Sequence, residues 1–209
     1  MTKHTLLALF TLVTTVFASG CGAARPSKYY QLSVPADAPA VNADPFSITL
    51  LIGRMTAPDL YREDQIVYSS GGESMGTYEY HRWAEPPTDM IQEIVLRQFR
   101  ASGRFHSVYA LRSDVHGDYL LHGHLYDFKE VSANGIVGRV AMEMELRDVK
   151  AGTTVWTHFY SHDEPAAGKG VDAVVAALDK NVQQGVTEMR SGVEQYFTEH
   201  PPLRTKPQD

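Results

Sequence analysis

An alternation of apolar and mostly charged residues within segment 136–149 constrains the fold more than any other feature of the chain. One phase of the alternation carries apolar side chains, namely Val140, Met142, Met144 and Leu146. The other phase is mostly charged. Because side chains two residues apart point to the same face of a strand, this pattern predicts a β-strand with one buried and one wet face. Segments 118–131 and 155–162 flank it across turn-like stretches, which predicts an antiparallel meander of three strands.

Shorter β-type runs precede this meander at residues 29–34, 46–55, 65–69, 108–111 and from residue 76 onward. An amphipathic helix lies among them. It follows Pro86-Pro87, has Thr88 as its expected N-cap and stops at Gly103, which suits the position after a helix.

A second, long helix is predicted after Gly170. Its apolar residues recur at spacings of three and four, which places them on one face: Val171, Val175, Leu178, Val182, Val186, Met189, Val193 and Tyr196. Gly185 and Gly192 lie inside it and predict close packing or a bend, since glycine weakens a helix by about 1 kcal/mol relative to alanine. The sequence therefore predicts an α+β fold. A single domain over residues 29–200 would have an antiparallel or mixed sheet with two helices packed on one face.

The N-terminus has the pattern of a bacterial lipoprotein signal peptide. A basic start and a short apolar run lead into Ala18-Ser19-Gly20 and then Cys21, the only cysteine in the chain. We expect residues 1–20 to be removed and Cys21 to carry acyl chains such as palmitate, with residues 21–28 serving as a tether. Several acyl chains together anchor a protein stably. An ordinary signal peptide with Cys21 as a free thiol is the alternative. Residues 201–209 are expected to be a disordered tail.

Composition and motifs exclude several function classes. A net charge of -6 with scattered lysine and arginine argues against a nucleic-acid partner. The sequence has no G-x-S-x-G elbow, no phosphate-binding loop and no cysteine nucleophile once Cys21 is acylated. It therefore predicts a protein that is not an enzyme and needs no cofactor.

Four histidines offer an alternative, a metal site. His122 and His124 would share one face of a strand, and His158 and His162 would share a face of a strand expected to be its neighbour. Four imidazoles on paired strands could reach one zinc ion. The competing interpretation places these histidines on a half-wet sheet face among aromatic residues.

The aromatic run after residue 76 is the preferred candidate for partner binding. Tyr78, Tyr80, Arg82 and Trp83 are of the residue types that anchor protein interfaces. Strand alternation would put Tyr78 and Tyr80 on one face, with His81 on the other. The competing interpretation has the aromatics pin the helix onto the sheet, while Arg82 pairs locally with Glu79 or Glu85.

These segments together resemble a known family. Cys21 and the stretches 29–32, 59–60, 65–68, 78–87 and 103–105 look like the ABC-type transport auxiliary lipoproteins, a family that includes paraquat-inducible protein C. The most specific part is the run Arg82-Trp83-Ala84-Glu85-Pro86-Pro87.

The resemblance implies a non-enzymatic, lipid-anchored protein on the periplasmic face of the outer membrane. Gly22, in place of an aspartate, resembles an outer-membrane sorting signal. Such a protein would assist a lipid transporter whose periplasmic component carries mammalian-cell-entry domains, and the resemblance further suggests self-association into a homo-oligomer. An alternative within reach of the same sequence is a carrier that holds acyl chains itself, which would require a sizeable apolar cavity.

Overall fold

A computed structural model describes residues 25–35, 45–112 and 114–201. The predicted signal peptide, Cys21 and residues 202–209 of the predicted disordered tail lie outside these ranges. The strands are β1 (Lys28–Tyr30), β2 (Phe46–Thr56), β3 (Gln65–Ser69), β4 (Gly76–Trp83), β5 (Phe105–Ala110), β6 (Tyr119–Val131), β7 (Val137–Asp148) and β8 (Thr153–Pro165). The helices are α1 (Pro87–Ser102) and α2 (Val171–Glu199). Neither is long and apolar enough to cross a membrane.

The eight strands form one mixed sheet centred on β6. The antiparallel meander β6–β7–β8 is confirmed by the pairing. β6 also pairs in parallel with β2 along its first half and with β3 at its last residues. β5 extends the sheet beyond β2, and β4 and β1 extend it beyond β3. The sheet is therefore mixed, because β6 has an antiparallel neighbour in β7 on one edge and parallel neighbours in β2 and β3 on the other.

The alternation in β7 positions the core as predicted. The side chains of one phase are essentially inaccessible to solvent, whereas Glu143 and Glu145 in the other phase are half-buried. α1 packs on β2 and β5, α2 packs on β7 and β8, and the two helices touch each other on the same side of the sheet. The predicted α+β fold with both helices on one face is confirmed.

Only the C-terminal end of α1 matches the prediction. Gly103 has a left-handed φ of 61°, and its N–H donates to the carbonyl of Arg100, so it ends the helix as expected. Thr88 is not the N-cap. The helix begins at Pro87, a residue suited to a first helical position, and Thr88 is buried within the first turn.

The apolar stripe of α2 differs from the prediction at both ends. Val174 and Phe197 are fully buried, whereas Val171, Val175 and Tyr196 are half-buried. Phe197 is buried because its ring packs edge-on against Phe105 of β5 and Tyr119 of β6, at centroid distances of 5.9 and 4.8 Å.

The two glycines of α2 mark close packing, as predicted. A Cβ atom on Gly185 would lie 2.6 Å from Cε of Met142 and 2.8 Å from the ring of Tyr160. A Cβ atom on Gly192 would lie 2.8 Å from the ring of Trp156. A larger side chain at either position would force these side chains, or α2 itself, to shift.

The first strand is shorter than the predicted segment 29–34, because the chain leaves the sheet after Tyr30. Beyond that point the N–H of Ser33 donates to Asp179, and its carbonyl accepts from Gln183. The backbone partners of this segment are thus side chains of α2 and not a neighbouring strand.

Candidate functional site at the β1–β4 edge

Trp83, the largest of the predicted partner-binding residues, lies in the hydrophobic core. Only 1% of its surface is exposed, and its ring packs against Phe128 of β6 at a centroid distance of 5.2 Å. Its backbone N–H donates to the carbonyl of Asp64. In this position Trp83 contributes to the core and presents almost no surface to a partner.

Arg82 is held by an ion pair with Asp64. Its Nη1 donates to Oδ1 of Asp64 at 2.8 Å, with both side chains partly exposed. The competing interpretation, in which Arg82 pairs with Glu79 or Glu85, named the wrong partner. The antiparallel register places Arg82 opposite Gln65, which brings the neighbouring Asp64 within reach.

Tyr78 points toward β6, where its hydroxyl donates to Oε2 of Glu130 at 2.6 Å. Glu130 is 7% exposed, a rare degree of burial for a carboxylate. Burial, together with the hydrogen bond to Glu130, raises the pKa of Tyr78 well above its ordinary value. The phenol therefore stays neutral and acts as a fixed donor to the buried carboxylate.

His81 joins the same aromatic cluster, contrary to the predicted alternation. Its ring lies 5.7 Å from that of Tyr78 and stacks on Tyr30 of β1, whose hydroxyl is 2.9 Å from Nδ1. The cause is an irregularity in the β3–β4 pairing. Thr77 is opposite Val67 and Arg82 is opposite Gln65, so residues 78–81 of β4 face Ile66 alone.

Tyr80 is half-buried, with neighbours on the strand itself and on the N-terminal segment. The guanidinium carbon of Arg25 lies 5.2 Å above its ring. A hydrogen bond with Glu79 raises the pKa of Tyr80.

The partner of this edge is the N-terminal segment of the chain itself. β1 pairs in parallel with β4, with Lys28 opposite His81 and Tyr30 opposite Trp83. Lys28 also bonds Asp172 at the start of α2, with an Nζ–Oδ1 distance of 2.7 Å. The structure thus brings Tyr78, His81 and Tyr30 together under β1, and most polar groups of the site satisfy one another.

The first histidine pair of the alternative metal site lies on the helix-free face of the sheet. His122 and His124 are opposite Glu145 and Glu143, the half-buried residues of β7. His124 also contacts Thr56 of β2, with 2.8 Å between Nδ1 and Oγ1.

The second pair lies on the helix-covered face. His158 and His162 are opposite the buried Met144 and Val140, and Nε2 of His158 lies within hydrogen-bond distance of Oε1 of Glu188 in α2, at 2.7 Å. Moreover, β7 lies between β6 and β8. The two histidine-bearing strands were expected to be neighbours, and they are not. One ion cannot reach both pairs. Within residues 25–35, 45–112 and 114–201, no group of three His, Cys, Asp or Glu side chains is placed to hold a metal ion.

Sequence reasoning missed the groups that complete the cluster, above all Glu130 and Asp64. Glu130 was detectable, because it shares the core-facing phase of β6 with Phe128. It also missed Phe159, which is exposed on the helix-free face and contacts Tyr126 at a centroid distance of 5.7 Å.

Two open clefts flank α1. One has a volume of about 560 Å³, and its lining includes Glu85, Asp89, Glu93 and Arg97. The other, of about 580 Å³, has Arg54, Arg62 and Asp89 in its lining. Charged linings of this kind suit polar groups, whereas an acyl chain requires an apolar cavity.

Comparison with known proteins assigns the family. The family model for the ABC-type transport auxiliary lipoprotein component matches residues 30–190, which contain every strand from β2 to β8, helix α1 and most of α2. The chain belongs to this family. Its members are lipoprotein components of transport systems, and the family resemblance of residues 78–87 is thereby confirmed.

Solved structures show the same fold at low sequence identity. Protein XCC0632 from Xanthomonas campestris superposes with a TM-score of 0.72 at 21% identity, covering 83% of this chain and 98% of that one. An uncharacterized protein superposes with a TM-score of 0.64 at 14% identity, covering 81% and 99%. Among curated protein sequences, none matches this chain.

Proposed function

We propose that this protein is a non-enzymatic accessory of an ABC-type lipid transporter, anchored by lipid on the periplasmic face of the outer membrane. The observation that carries the proposal is the family match over residues 30–190, downstream of a lipoprotein-type signal sequence. The transporter's periplasmic component would carry mammalian-cell-entry domains, and the cargo would move between the inner and outer membranes.

The anchor is assigned to Cys21. It is the only cysteine, it follows three small residues, and it lies four residues before Arg25, where the described structure begins. A lone unpaired thiol is a liability in an oxidising compartment, which favours its acylation. Gly22 supports delivery to the outer membrane, because the residue after the cysteine is not aspartate.

The interior of the candidate site supports an accessory role over catalysis. Tyr78 is bonded to Glu130, Arg82 to Asp64, and His81 to Tyr30, so these polar groups hold β1, β3, β4 and β6 together. A catalytic acid or base needs a reacting group within hydrogen-bond reach, and these side chains are already engaged with one another. Their role is to shape the edge onto which the tethered N-terminus folds.

The proposal is tested by crosslinking in intact cells followed by affinity purification of the anchored protein. We expect a mammalian-cell-entry-domain protein and the permease and ATPase of the same transporter among the crosslinked partners. The Cys21→Ser variant, which would fold but lose its place at the membrane, is the matched control and should lose these partners. Recovery of the same partners from both proteins would contradict the anchored role. Self-association stays a prediction, and native mass spectrometry of the purified domain would test it.

A further inference from the structure

The N-terminal tether leaves the domain near one end of the sheet. β1 runs parallel to β4, so the chain upstream of Lys28 runs back along β4 toward its start at Gly76. Arg25 lies over Tyr80, as this direction requires. Cys21 is four residues further upstream, and four extended residues span at most about 14 Å. The acylated residue must therefore lie close to this part of the domain.

This end of the sheet includes two turns that touch, residues 70–75 between β3 and β4 and residues 132–136 between β6 and β7, beside the end of β8. We refer to them as the turn end. The N–H of Ser132 donates to the carbonyl of Ser69 at 3.0 Å, and a Cβ on Gly71 would lie 3.0 Å from Cβ of Ala133. Gly71 adopts a φ of 109°, which favours glycine and keeps the turn flush against its neighbour.

The composition of the turn end suits a lipid surface. Glu73 is the one ionisable residue within the two turns, and Nζ of Lys129 lies beside Met75, where a lysine is attracted to anionic lipids. Met75 has 48% of its surface exposed, while its sulfur lies 3.8 Å from the hydroxyl of Tyr61 and from Nζ of Lys129, so part of an apolar side chain is accessible to the interface. Arg25 and Tyr80 lie at the β1–β4 edge, where the N-terminal tether joins the sheet. Both residue types are favoured at the membrane boundary, where arginine is attracted to anionic lipids.

We propose that the domain stands on the membrane with its turn end toward the lipid, so that Met75, Tyr80 and Arg25 contact the headgroup layer. This inference rests on the proposed function, because it requires the acyl anchor at Cys21. The opposite end of the sheet, marked by Val149 after β7, then faces away from the membrane. Met75 and Val149 are separated by about 11 residues of strand, or roughly 36 Å.

The test uses the acylated protein in vesicles of phosphatidylethanolamine and phosphatidylglycerol that contain a nitroxide-headgroup lipid. Acylation leaves Cys21 without a free thiol, so a cysteine introduced by Met75→Cys or Val149→Cys is the only site for a fluorescent label. The two positions are matched controls, being 48% and 47% exposed. Circular dichroism verifies that both labelled proteins are folded.

We expect the label at position 75 to be quenched several-fold more strongly by the nitroxide lipid than the label at position 149. Equal quenching at both positions, or stronger quenching at position 149, would overturn the orientation while leaving the anchor intact. If the label at position 75 were shielded from an aqueous quencher but untouched by the lipid quencher, protein would cover the turn end and the proposal would also fail. Failure of both labelled proteins to sediment with vesicles would instead contradict the anchor at Cys21.

Discussion

Replacement of Trp83 by alanine distinguishes a core residue from a docking residue. Its ring is 99% buried against Phe128, and an aromatic side chain of this size removes roughly 200 Å² from water. At about 25 cal/mol per Å², that burial stabilises the fold by about 5 kcal/mol. Measured truncations of buried phenylalanine and tryptophan cost about 3–5 kcal/mol. We expect Trp83→Ala to lower the free energy of unfolding by about 4 kcal/mol and Tm by roughly 8–16 °C.

The assay is urea unfolding of the soluble domain followed by circular dichroism, with Tyr80→Ala as the control on the same strand. Tyr80 has its ring under Arg25 and is only half-buried, so its replacement should cost less than about 1 kcal/mol. A Trp83→Ala midpoint equal to that of the wild type would refute the core assignment. That result would mean that the Trp83 side chain is not packed in the core and is accessible to a partner.

Three further predictions address the packing of α2 and the ion pair of β4. Gly185→Ala, a change that stabilises an ordinary helix, should lower the urea midpoint here because its Cβ would clash with the sheet; a raised midpoint would contradict the close packing. Burial raises the pKa of Tyr160 to about 12, so its neutral phenol stabilises the fold fully below the unfolded pKa near 10, and this contribution is lost as the pH rises toward 12. Tyr160→Phe removes the hydroxyl that donates to Oδ1 of Asn181 and should lower the free energy of unfolding by about 1–3 kcal/mol at pH 7. In urea titrations at several pH values, the difference from the wild type should shrink above pH 10. A difference that stayed constant with pH would contradict the assignment. Asp64→Ala, which breaks the partly exposed pair with Arg82, should cost no more than about 1 kcal/mol by the same titration, and a larger loss would show a pair stronger than its exposure implies.

The elements that were predictable from sequence are those whose signal is local. The period-2 pattern of β7 and the glycine after α1 depend on neighbouring residues, so their consequences follow from backbone geometry alone. Gly185 and Gly192 also revealed close packing, because glycine inside a helix is unfavourable without a packing reason.

The features that were not predictable depend on strand order and register. His122 and His158 could be assigned to strands, but not to opposite faces, because β7 intervenes and sets the phase of each neighbour. The partner of Arg82 lies 18 residues away and reaches it only through the irregular β3–β4 pairing. Trp83 has the composition of an interface anchor, and only the position of Phe128 in the folded sheet shows that it faces inward.

The most direct test of the lipid-anchored role is the distribution of Cys21→Ser between membrane and soluble fractions of the cell envelope. We expect the wild-type protein to sediment with outer membranes on a density gradient. The variant should appear in the soluble periplasmic fraction with an unchanged circular dichroism spectrum, because Cys21 precedes the strands and helices in the sequence. A variant that remained with the outer membrane would contradict the anchor at Cys21.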